Sequence, residues 1–361
     1  MIATLLVAGL ALQDWREQLV DDKLGDLWAM SVADVNADGR PDLLALSWNP
    51  AVVVWYENPT WRKRTLIEKD PKEMVTIQPL DVDGDGKTEF ILGAEYREPP
   101  DPKSGGGGVY LLRRPVDLEK PWPATKIVEA PTLHRIHALD GKAVVCSALH
   151  GPTFVLRPPA NSFEEPWVRE TIAEKLSACH NTFSVDWDGD GKEEVLTGSR
   201  EGLSLWKRAE GKWTATLLAK GKGGVSEIAV GRLPGGKRYL ATIEPHHGAE
   251  FCVYMEAEGG WKREVLLVNK GGHTLWPADL TKTGVDSLLV GFVGQYSNAP
   301  GGPIWHVFHP TSTGWERKVL DDTKLPGEDG MVADLDADGR PDCILAGGSR
   351  LKIYWNRGGA K

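Results

Sequence analysis

The stretch SVADVNADGRPDLLAL, at residues 31–46, contains the pattern that decides the fold. In it, an apolar segment runs into an Asp-rich turn, and a second apolar segment follows directly. Close copies are IQPLDVDGDGKTEFILG at 77–93, FSVDWDGDGKEEVLTG at 183–198 and MVADLDADGRPDCILAG at 331–347. The apolar residues, such as Val32 and Leu43, alternate with the period of a β-strand. Each copy therefore predicts two strands joined by an Asp-rich loop.

Three degenerate copies extend the repeat: LWPADLTKTGVDSLLVG at 275–291, IAVGRLPGGKRYLATI at 228–243 and IHALDGKAVVCSAL at 136–149. The seven copies follow one another at intervals of about 45 to 59 residues. This pattern resembles the FG-GAP/VCBS repeat, in which each repeat forms one four-stranded blade. The resemblance predicts an all-β chain folded as a single seven-bladed β-propeller over residues 15–361.

A second motif predicts how the ring closes. The pattern Trp-x-x-x-x-(Leu/Ile/Val) begins at seven tryptophans: Trp15, Trp61, Trp122, Trp167, Trp213, Trp261 and Trp315. The copy at Trp15 precedes the first blade, whereas the last blade ends without a copy. We therefore expect residues 15–23 to form the strand that completes the last blade. Such closure removes the open sheet edges that a linear array would expose.

Composition and charge narrow the class of protein. With 41% hydrophobic and 26% charged residues, the chain is of the soluble globular class. A net charge of −9 argues against nucleic acid as a partner. Residues 1–13 are apolar but too short to span a bilayer, which predicts a signal peptide or an apolar N-terminal segment, no membrane span and an extracytoplasmic (periplasmic or secreted) location. The four cysteines lack CxxC spacing and are expected to be buried thiols in strands.

The Asp-rich loops predict structural calcium. Four of them carry oxygen ligands at positions 1, 3, 5 and 9, as in the first part of an EF-hand loop. These ligands are Asp34, Asn36, Asp38 and Asp42; Asp81, Asp83, Asp85 and Glu89; Asp186, Asp188, Asp190 and Glu194; and Asp334, Asp336, Asp338 and Asp342. Magnesium suits such loops less well, and an Asp/Gly turn that needs no metal is the alternative. The three degenerate copies are expected to bind no metal.

The opposite face is expected to hold the functional site. In a propeller, the segments leading into the inner strands and the turns between the second and third strands emerge on the face opposite the Asp-rich loops. We predict that the catalytic residues at these places are His134, His150, His180, Arg200, His246, His247 and His273. The residues predicted to bind substrate are Trp48, Glu95, Trp276, Gln295 and Tyr296. Imidazoles titrate near neutral pH, so such a cluster can transfer protons or bind a transition metal.

Two segments on this face resemble a known group of enzymes. TIEPHHGAEFCVY at 242–254 and GHTLWPADLTKTGVDSLLVGFVG at 272–294 look like the corresponding blades of aldos-2-ulose dehydratases, which dehydrate keto-sugars such as 1,5-anhydrofructose. The placement of His134, His150 and Arg200 is similar to that in propeller polysaccharide lyases such as the ulvan lyases. These resemblances imply a carbon–oxygen lyase or dehydratase whose partner is a carbohydrate-type small molecule.

The chemistry implied is β-elimination next to a carbonyl, in which a base removes an α-proton while an enolate is stabilised. We expect His150 or His134 to take the proton, and Arg200 or a histidine-bound zinc ion to stabilise the enolate oxygen. His246 or His247 would protonate the leaving group. Three neutral imidazoles with an open coordination position would form a catalytic zinc site; the sequence does not select the three.

Other functions fit the same residues. A non-catalytic propeller that binds carbohydrate or protein would use Trp48, Trp276 and Tyr296 for stacking on sugars. A 3-keto-glycoside hydrolase or a polysaccharide lyase would use the same carbonyl-activated elimination step. Fold alone does not separate these functions.

Overall fold

The structure is a computed structural model that describes residues 13–97, 106–160, 163, 165–294, 301–302 and 304–359. Within these residues there are 28 strands and a short 3-10 turn at Pro234–Gly236. The predicted signal segment 1–13 lies outside the described residues except for its last residue, and Gln295 and Tyr296 lie outside them entirely.

The strands are β1 (Gln13–Asp21), β2 (Leu27–Ala33), β3 (Asp42–Ser47), β4 (Val52–Glu57), β5 (Arg62–Glu68), β6 (Thr76–Leu80), β7 (Glu89–Ala94), β8 (Gly108–Leu112), β9 (Ala124–Glu129), β10 (Leu133–Leu139), β11 (Ala143–Ala148), β12 (His150–Arg157), β13 (Val168–Ser177), β14 (Asn181–Val185), β15 (Glu194–Ser199), β16 (Gly202–Ala209), β17 (Lys212–Ala219), β18 (Ile228–Arg232), β19 (Arg238–Glu244), β20 (Glu250–Ala257), β21 (Gly260–Val268), β22 (Gly272–Ala278), β23 (Ser287–Phe292), β24 (Trp305–Thr311), β25 (Gly314–Asp321), β26 (Asp329–Ala333), β27 (Asp342–Gly347) and β28 (Arg350–Gly359).

These strands form seven four-stranded antiparallel sheets, each built from consecutive hairpins. Blades 1 to 6 are β2–β5, β6–β9, β10–β13, β14–β17, β18–β21 and β22–β25, and blade 7 is β26–β28 completed by β1. The predicted seven-bladed propeller is confirmed. The Asp-rich loops join the first and second strands of their blades, so they emerge on one face. The turns between second and third strands emerge on the other.

Closure by the N-terminal segment is also confirmed, although the strand begins and ends two residues earlier than predicted. β1 pairs antiparallel with β28, so that Trp15 faces Asn356 and Leu19 faces Lys352. The strand runs from Gln13 to Asp21 rather than over residues 15–23. It ends at Asp21 because the carboxylate of that residue accepts a hydrogen bond from the amide of Lys23 at 2.8 Å, which turns the chain toward blade 1.

A buried ion pair secures the seam of the closed ring. The ammonium of Lys352 lies 2.8 Å from Asp321 and 2.9 Å from Glu17 of β1. The hydroxyl oxygen of Tyr354 lies 2.8 Å from an oxygen of each of these carboxylates. Burial alone would raise the pKa of Asp321, but hydrogen bonds from its neighbours, Lys352 first, outweigh burial and lower the pKa. The last strand, the first strand and blade 6 are thereby joined.

The core lies between the blades. The second strands β3, β7, β11, β15, β23 and β27 are buried along their whole length, because both of their faces pack against neighbouring sheets. Such strands read as continuous apolar runs. The four cysteines are buried free thiols, as expected, although Cys179 precedes β14 instead of lying in a strand. Among the described residues no helix is long and apolar enough to cross a membrane.

Candidate functional site

Five histidines form one contiguous cluster on the face opposite the Asp-rich loops. His180 is central, with its ring centroid 4.4 Å from that of His134, 4.6 Å from His247, 5.0 Å from His273 and 5.1 Å from His246. His247 also lies 4.3 Å from His246 and 5.0 Å from His273. The structure therefore brings together five of the seven side chains that the sequence predicted to be catalytic.

Three of these histidines occupy equivalent places, where the chain leads into the inner strand of its blade. Nδ1 of His134 lies 3.2 Å from the carbonyl oxygen of His180 in the next blade, and Nδ1 of His273 lies 2.7 Å from the carbonyl oxygen of Glu328 in the blade after it. A carbonyl oxygen only accepts, so Nδ1 carries the proton in both rings. Each Nε2 therefore keeps its lone pair for a metal or a proton.

The other two histidines come from the tight turn between β19 and β20. Glu244, at the start of this turn, is fully buried, and its carboxylate accepts hydrogen bonds from Tyr254 at 2.6 Å and Arg263 at 2.9 Å. A Cβ atom at Gly248 would lie 2.0 Å from the carbonyl oxygen of Glu244, so the turn closes only with glycine. His247 has a left-handed φ of 46°. Glu244 and Gly248 thus hold the histidine turn in place.

Glu227 lies directly behind the cluster. Its Oε1 is 2.5 Å from Nδ1 of His180, and both side chains are buried. The contact is close but poorly aligned for a hydrogen bond; since two lone pairs at this distance would repel, one of the two atoms carries a proton. The other carboxylate oxygen accepts from Nδ2 of Asn181, whose Oδ1 accepts from Nε2 of His137 at 2.7 Å. A chain of contacts therefore leads from His137 to His180.

Burial sets the protonation state of the cluster. Desolvation lowers the pKa of His134, His180 and His273 well below its usual value, and nearby positive charges lower it further. Desolvation also lowers the pKa of His246 to about 4 and that of His247 to about 3. All five imidazoles are therefore neutral at pH 7, the form in which histidine accepts a proton or binds a metal.

Burial acts in the opposite direction on the carboxyl group behind the cluster. Desolvation raises the pKa of Glu227 to about 7, while Arg135 and Asn181 oppose the rise. Together with the lowered pKa of His180, this places a neutral imidazole 2.5 Å from a carboxyl group that takes up a proton near pH 7.

A channel along the propeller axis holds a ring of polar side chains that was not predicted from the sequence. Arg135, Asn181, Glu227 and Asp329 occupy the same position in blades 3, 4, 5 and 7, as the strand registers show. They line a channel of about 390 Å³ that also contacts His273. An alignment of the seven copies on their Asp-rich turns would have found this ring, because the position is polar or charged beside otherwise apolar strands.

The remaining two predicted catalytic residues lie outside the buried cluster. His150 and Arg200 are exposed, and after burial their charges are the causes that lower the pKa of His246. Both are therefore near His246 and remain in contact with solvent. Nδ1 of His150 accepts a hydrogen bond from the amide of Ala178 at 3.4 Å. The predicted catalytic residues thus form a buried inner group and an exposed outer pair around His246.

Two predicted substrate-binding residues lie on the same face, but over blades 1 and 2. Trp48 packs beside Trp28, with ring centroids 5.0 Å apart. Glu95 accepts hydrogen bonds from Tyr110 at 2.6 Å and from Lys126 at 2.5 Å. Neither residue contacts the histidine cluster directly.

The third described substrate-binding candidate lies deeper than expected. Trp276 is half-buried inside β22 and lines the axial channel, three residues beyond His273 in the chain. A bulge at His273 interrupts the alternation of β22, and both residues line the channel. Trp276 belongs to the channel rather than to the mouth.

Three of the imidazoles are placed closely enough to hold a metal ion. One nitrogen of each of His180, His247 and His273 lies within 4.8 Å of the other two. Tetrahedral zinc with Zn–N distances of about 2.0–2.1 Å requires nitrogens about 3.4 Å apart, so small rotations would close the set. Nε2 of His180 is buried and has no hydrogen-bond partner among the described residues. Glu227 and the Glu328 carbonyl would supply the outer contacts that orient metal-binding histidines.

The Asp-rich loops on the other face are held by their own hydrogen bonds. In loop 186–194, Asp186 accepts from the amides of Gly189 at 2.8 Å and Gly191 at 3.0 Å. Acidic side chains lie within 4.8 Å of one another in three loops: Asp81, Asp83 and Asp85; Asp186, Asp188 and Glu194; and Asp334, Asp336 and Asp342. In loop 34–42, Asp42 is buried and accepts from two backbone amides, as Asp342 does in loop 334–342. Calcium in the four loops stays a prediction.

Comparisons with known proteins agree with this architecture. Residues 34–92 match the family model of the FG-GAP-like repeat. No curated protein matches the chain. A structure titled "Crystal structure of BBS1N in complex with ARL6DN, soaked with mercury" is similar over 95% of this chain and 96% of that one, with 12% identity and a TM-score of 0.59. A structure titled "YCF48 bound to D1 peptide" is similar over 94% of each chain, with 13% identity and a TM-score of 0.57. At these identities the likeness shows the fold alone. The chain therefore contains an FG-GAP-like repeat within a seven-bladed β-propeller.

Proposed function

We propose that this protein is a carbon–oxygen lyase that performs β-elimination on a keto-sugar or an oxidised glycoside at the histidine cluster. The observation that carries the proposal is the contact of four imidazoles with His180, deep enough that all five rings are neutral at pH 7. Burying several polar rings side by side is costly for a fold that gains nothing from them. Clusters of groups with strongly perturbed pKa values are typical of functional sites.

His180, His247 and His273 are proposed to hold a zinc ion. When bound, zinc would act as a Lewis acid toward the carbonyl oxygen of the substrate and so acidify the neighbouring C–H. Two contacts support this zinc site: the hydrogen bond that fixes Nδ1 of His273, and the carboxyl group of Glu227 beside His180. With Nε2 of His180 as the ligand atom, the proton of that ring would lie on Nδ1, and the Glu227 carboxylate would accept it.

The proton transfers are assigned to the outer side of the cluster. His246 takes the α-proton, because it is neutral at pH 7 and lies between the cluster and the exposed pair. The electrons of the broken C–H bond form the new C=C bond, and the β C–O bond breaks. His150, which is exposed to solvent, gives a proton to the departing oxygen, so water or an alcohol leaves. Arg200 stabilises the negative charge that develops on the enolate oxygen.

This assignment exchanges the roles expected from the sequence for His150 and His246. His134, the other expected base, is 4% exposed, and its Nδ1 is committed to a backbone carbonyl. His134 therefore packs against His180 as part of the inner group.

Metal analysis and a spectrophotometric assay test the proposal together. We expect about one zinc per chain and new ultraviolet absorbance from a conjugated enone when 1,5-anhydrofructose, a 2-keto-aldose or a 3-keto-glycoside is supplied. His273→Ala should lose both signals. His309→Ala is the matched control, because His309 is also a buried histidine of blade 6 but contacts Ser287 and not the cluster. Protein that is free of transition metal and turns over none of these sugars would contradict the proposal.

A non-catalytic binding propeller is the second candidate. Of the two solved structures reported above, one is described as bound to a peptide and the other as in complex with ARL6DN. Micromolar binding of an intact oligosaccharide or polypeptide, without turnover of any keto-sugar, would favour this function.

A further inference from the structure

The axial channel begins at the Asp-rich face and ends beneath the histidine cluster. Its walls include Gly141 and Glu193, which lie between the first and second strands of blades 3 and 4, and it reaches His273 at its other end. Gly141 is exposed, so the channel is open to solvent on that side. The loops at this entrance are joined, because the amide of Asp140 donates to Glu193 at 2.6 Å and the amide of Glu193 donates to Asp140 at 2.8 Å. The channel is therefore reached from the face that the proposed reaction does not use.

The deep end of the channel offers both hydrogen-bond donors and acceptors. Arg135 forms no ion pair among the described residues, and its Nη1 donates to the carbonyl oxygen of His134 at 3.3 Å. A guanidinium has five N–H donors, so most of them remain for a ligand. The carboxylate of Asp329 accepts one backbone amide on each oxygen, from Met30 at 2.8 Å and from Gly330 at 2.9 Å, and each oxygen can accept a second hydrogen bond.

The part of the channel nearer the entrance has an apolar side and a polar side. Its side chains stand two residues further along the inner strands than the polar ring, and so point the same way. The apolar residues are Phe183, Trp276 and Met331, from blades 4, 6 and 7, and the polar residues are Ser31, Gln78 and His137, from blades 1, 2 and 3. A ligand in the channel therefore contacts aromatic rings on one side and hydrogen-bonding groups on the other.

This lining selects the class of ligand. An anion would face Glu227 and Asp329, and a cation would face Arg135. An α-amino acid carries both charges at one end only, which would leave an apolar side chain against Gln78 and His137. A hydroxyl group both donates and accepts, and a pyranose carries hydroxyls around its edge and a C–H face that packs on an aromatic ring. The volume of about 390 Å³ lies within the usual range for small-ligand sites.

We propose that the axial channel binds one ring of an uncharged sugar, which enters from the Asp-rich face. Trp276 packs on the C–H face of the ring, and Arg135 and Asp329 bind its hydroxyl groups at the deep end. The site does not depend on the proposed function, because the residues assigned to proton transfer, His150 and His246, do not line the channel. It is a second carbohydrate site, separate from the one at which elimination would occur.

Calorimetric titration at pH 7 tests the site. The probes are the neutral sugars glucose, galactose, mannose and xylose, with glucuronate and leucine as charged comparators. We expect at least one neutral sugar to bind the wild-type protein at least about tenfold more tightly than either comparator. Trp276→Ala and Arg135→Met should each weaken that binding by about tenfold or more, as loss of a central contact does. Trp315→Ala is the matched control, because Trp315 belongs to the same blade but packs against Tyr239 from the outer strand, with ring centroids 4.9 Å apart.

Two further variants guard against a folding defect. Trp276→Phe keeps an aromatic ring and should keep part of the affinity, and Gln78→Leu should lower the affinity without touching Trp276 or the histidine cluster. The proposal is overturned if none of the four sugars binds, if glucuronate or leucine binds as tightly, or if the affinity survives both Trp276→Ala and Arg135→Met.

His246→Ala separates the channel site from the proposed function. This variant should lose keto-sugar turnover and keep its affinity for the neutral sugar, whereas loss of that affinity would place the sugar at the histidine cluster and overturn the proposal. Zinc content and turnover are measured on the same preparations. Protein without zinc or turnover that still binds a neutral sugar through Trp276 contradicts the proposed function and leaves the channel site standing.

Discussion

Replacing Glu227 by glutamine tests whether this side chain orients the proposed metal ligand. The two carboxylate oxygens of Glu227 face two different groups, Nδ1 of His180 and Nδ2 of Asn181. Glutamine has one carbonyl oxygen and one NH₂ group, so it satisfies one neighbour and presents a donor to the other. In Glu227→Gln, either His180 loses its orienting acceptor or Asn181 faces another donor.

The expected loss follows from that lost contact. With zinc bound, the Glu227 carboxylate would accept a hydrogen bond from Nδ1 of His180; a hydrogen bond to a charged group contributes about 1.5–3 kcal/mol, and each 1.4 kcal/mol is about tenfold in affinity. We therefore expect Glu227→Gln to weaken zinc binding by about 10–100-fold, the usual effect of removing an outer contact to a metal-binding histidine.

The assay is zinc titration against a competing chelator at pH 7, with cobalt substitution as a spectroscopic check of the coordination geometry. Glu328→Gln is the matched control. Glu328 is likewise an acidic residue next to the cluster, although half-buried, and His273 binds its backbone carbonyl, which the substitution retains. Zinc affinity that is unchanged in Glu227→Gln, or lowered equally in both variants, would refute the reasoning.

Three further predictions concern the seam, the loops and the proton transfers. Lys352→Ala should lower the free energy of unfolding in urea at pH 7 by about 3–5 kcal/mol, because it leaves Asp321 buried without its cation; a loss below about 1 kcal/mol would contradict this. Because the pKa of Asp321 is lowered in the fold, its contribution is complete above the unfolded value of about 3.9 and is lost as the pH falls through the lower folded value. In Lys352→Ala the burial that Lys352 offsets would raise the pKa of Asp321, so the variant's carboxyl takes up a proton first and the stability difference should begin to shrink above pH 4 as the pH falls. Chelation of calcium should lower the Tm of the wild type by linkage, and an unmoved melting curve would leave the Asp-rich loops as turns. Arg200→Ala should reduce keto-sugar turnover by about 10²–10³-fold while keeping the acid limb of the pH profile, whereas His246→Ala should abolish that limb; an acid limb that persists in His246→Ala removes it as the base.

Several features of the site were accessible from the sequence because they depend on position within a repeat. His134, His180 and His273 stand at the same place in their blades, so recognising the repeat was enough to assign them to one face. The turn at 244–248 was accessible too, since Gly248 follows two histidines in a short connection between strands. The sequence did not show which imidazoles point into the cluster. Two neighbouring residues of a turn differ in orientation through backbone angles such as the φ of 46° at His247, and no periodic pattern specifies those angles.

The sequence by itself determined the ring: its seven blades, its strand order and its closure by the N-terminal segment. These follow from alternation and spacing, which are local properties repeated along the chain, and from the need to pair the last sheet edge. Only the tertiary structure decided that Glu227, Asn181 and His137 connect to His180. Those side chains come from three blades and meet because the inner strands converge on one axis. The tertiary structure also decided the protonation of these side chains, because desolvation depends on what the whole fold packs around each group.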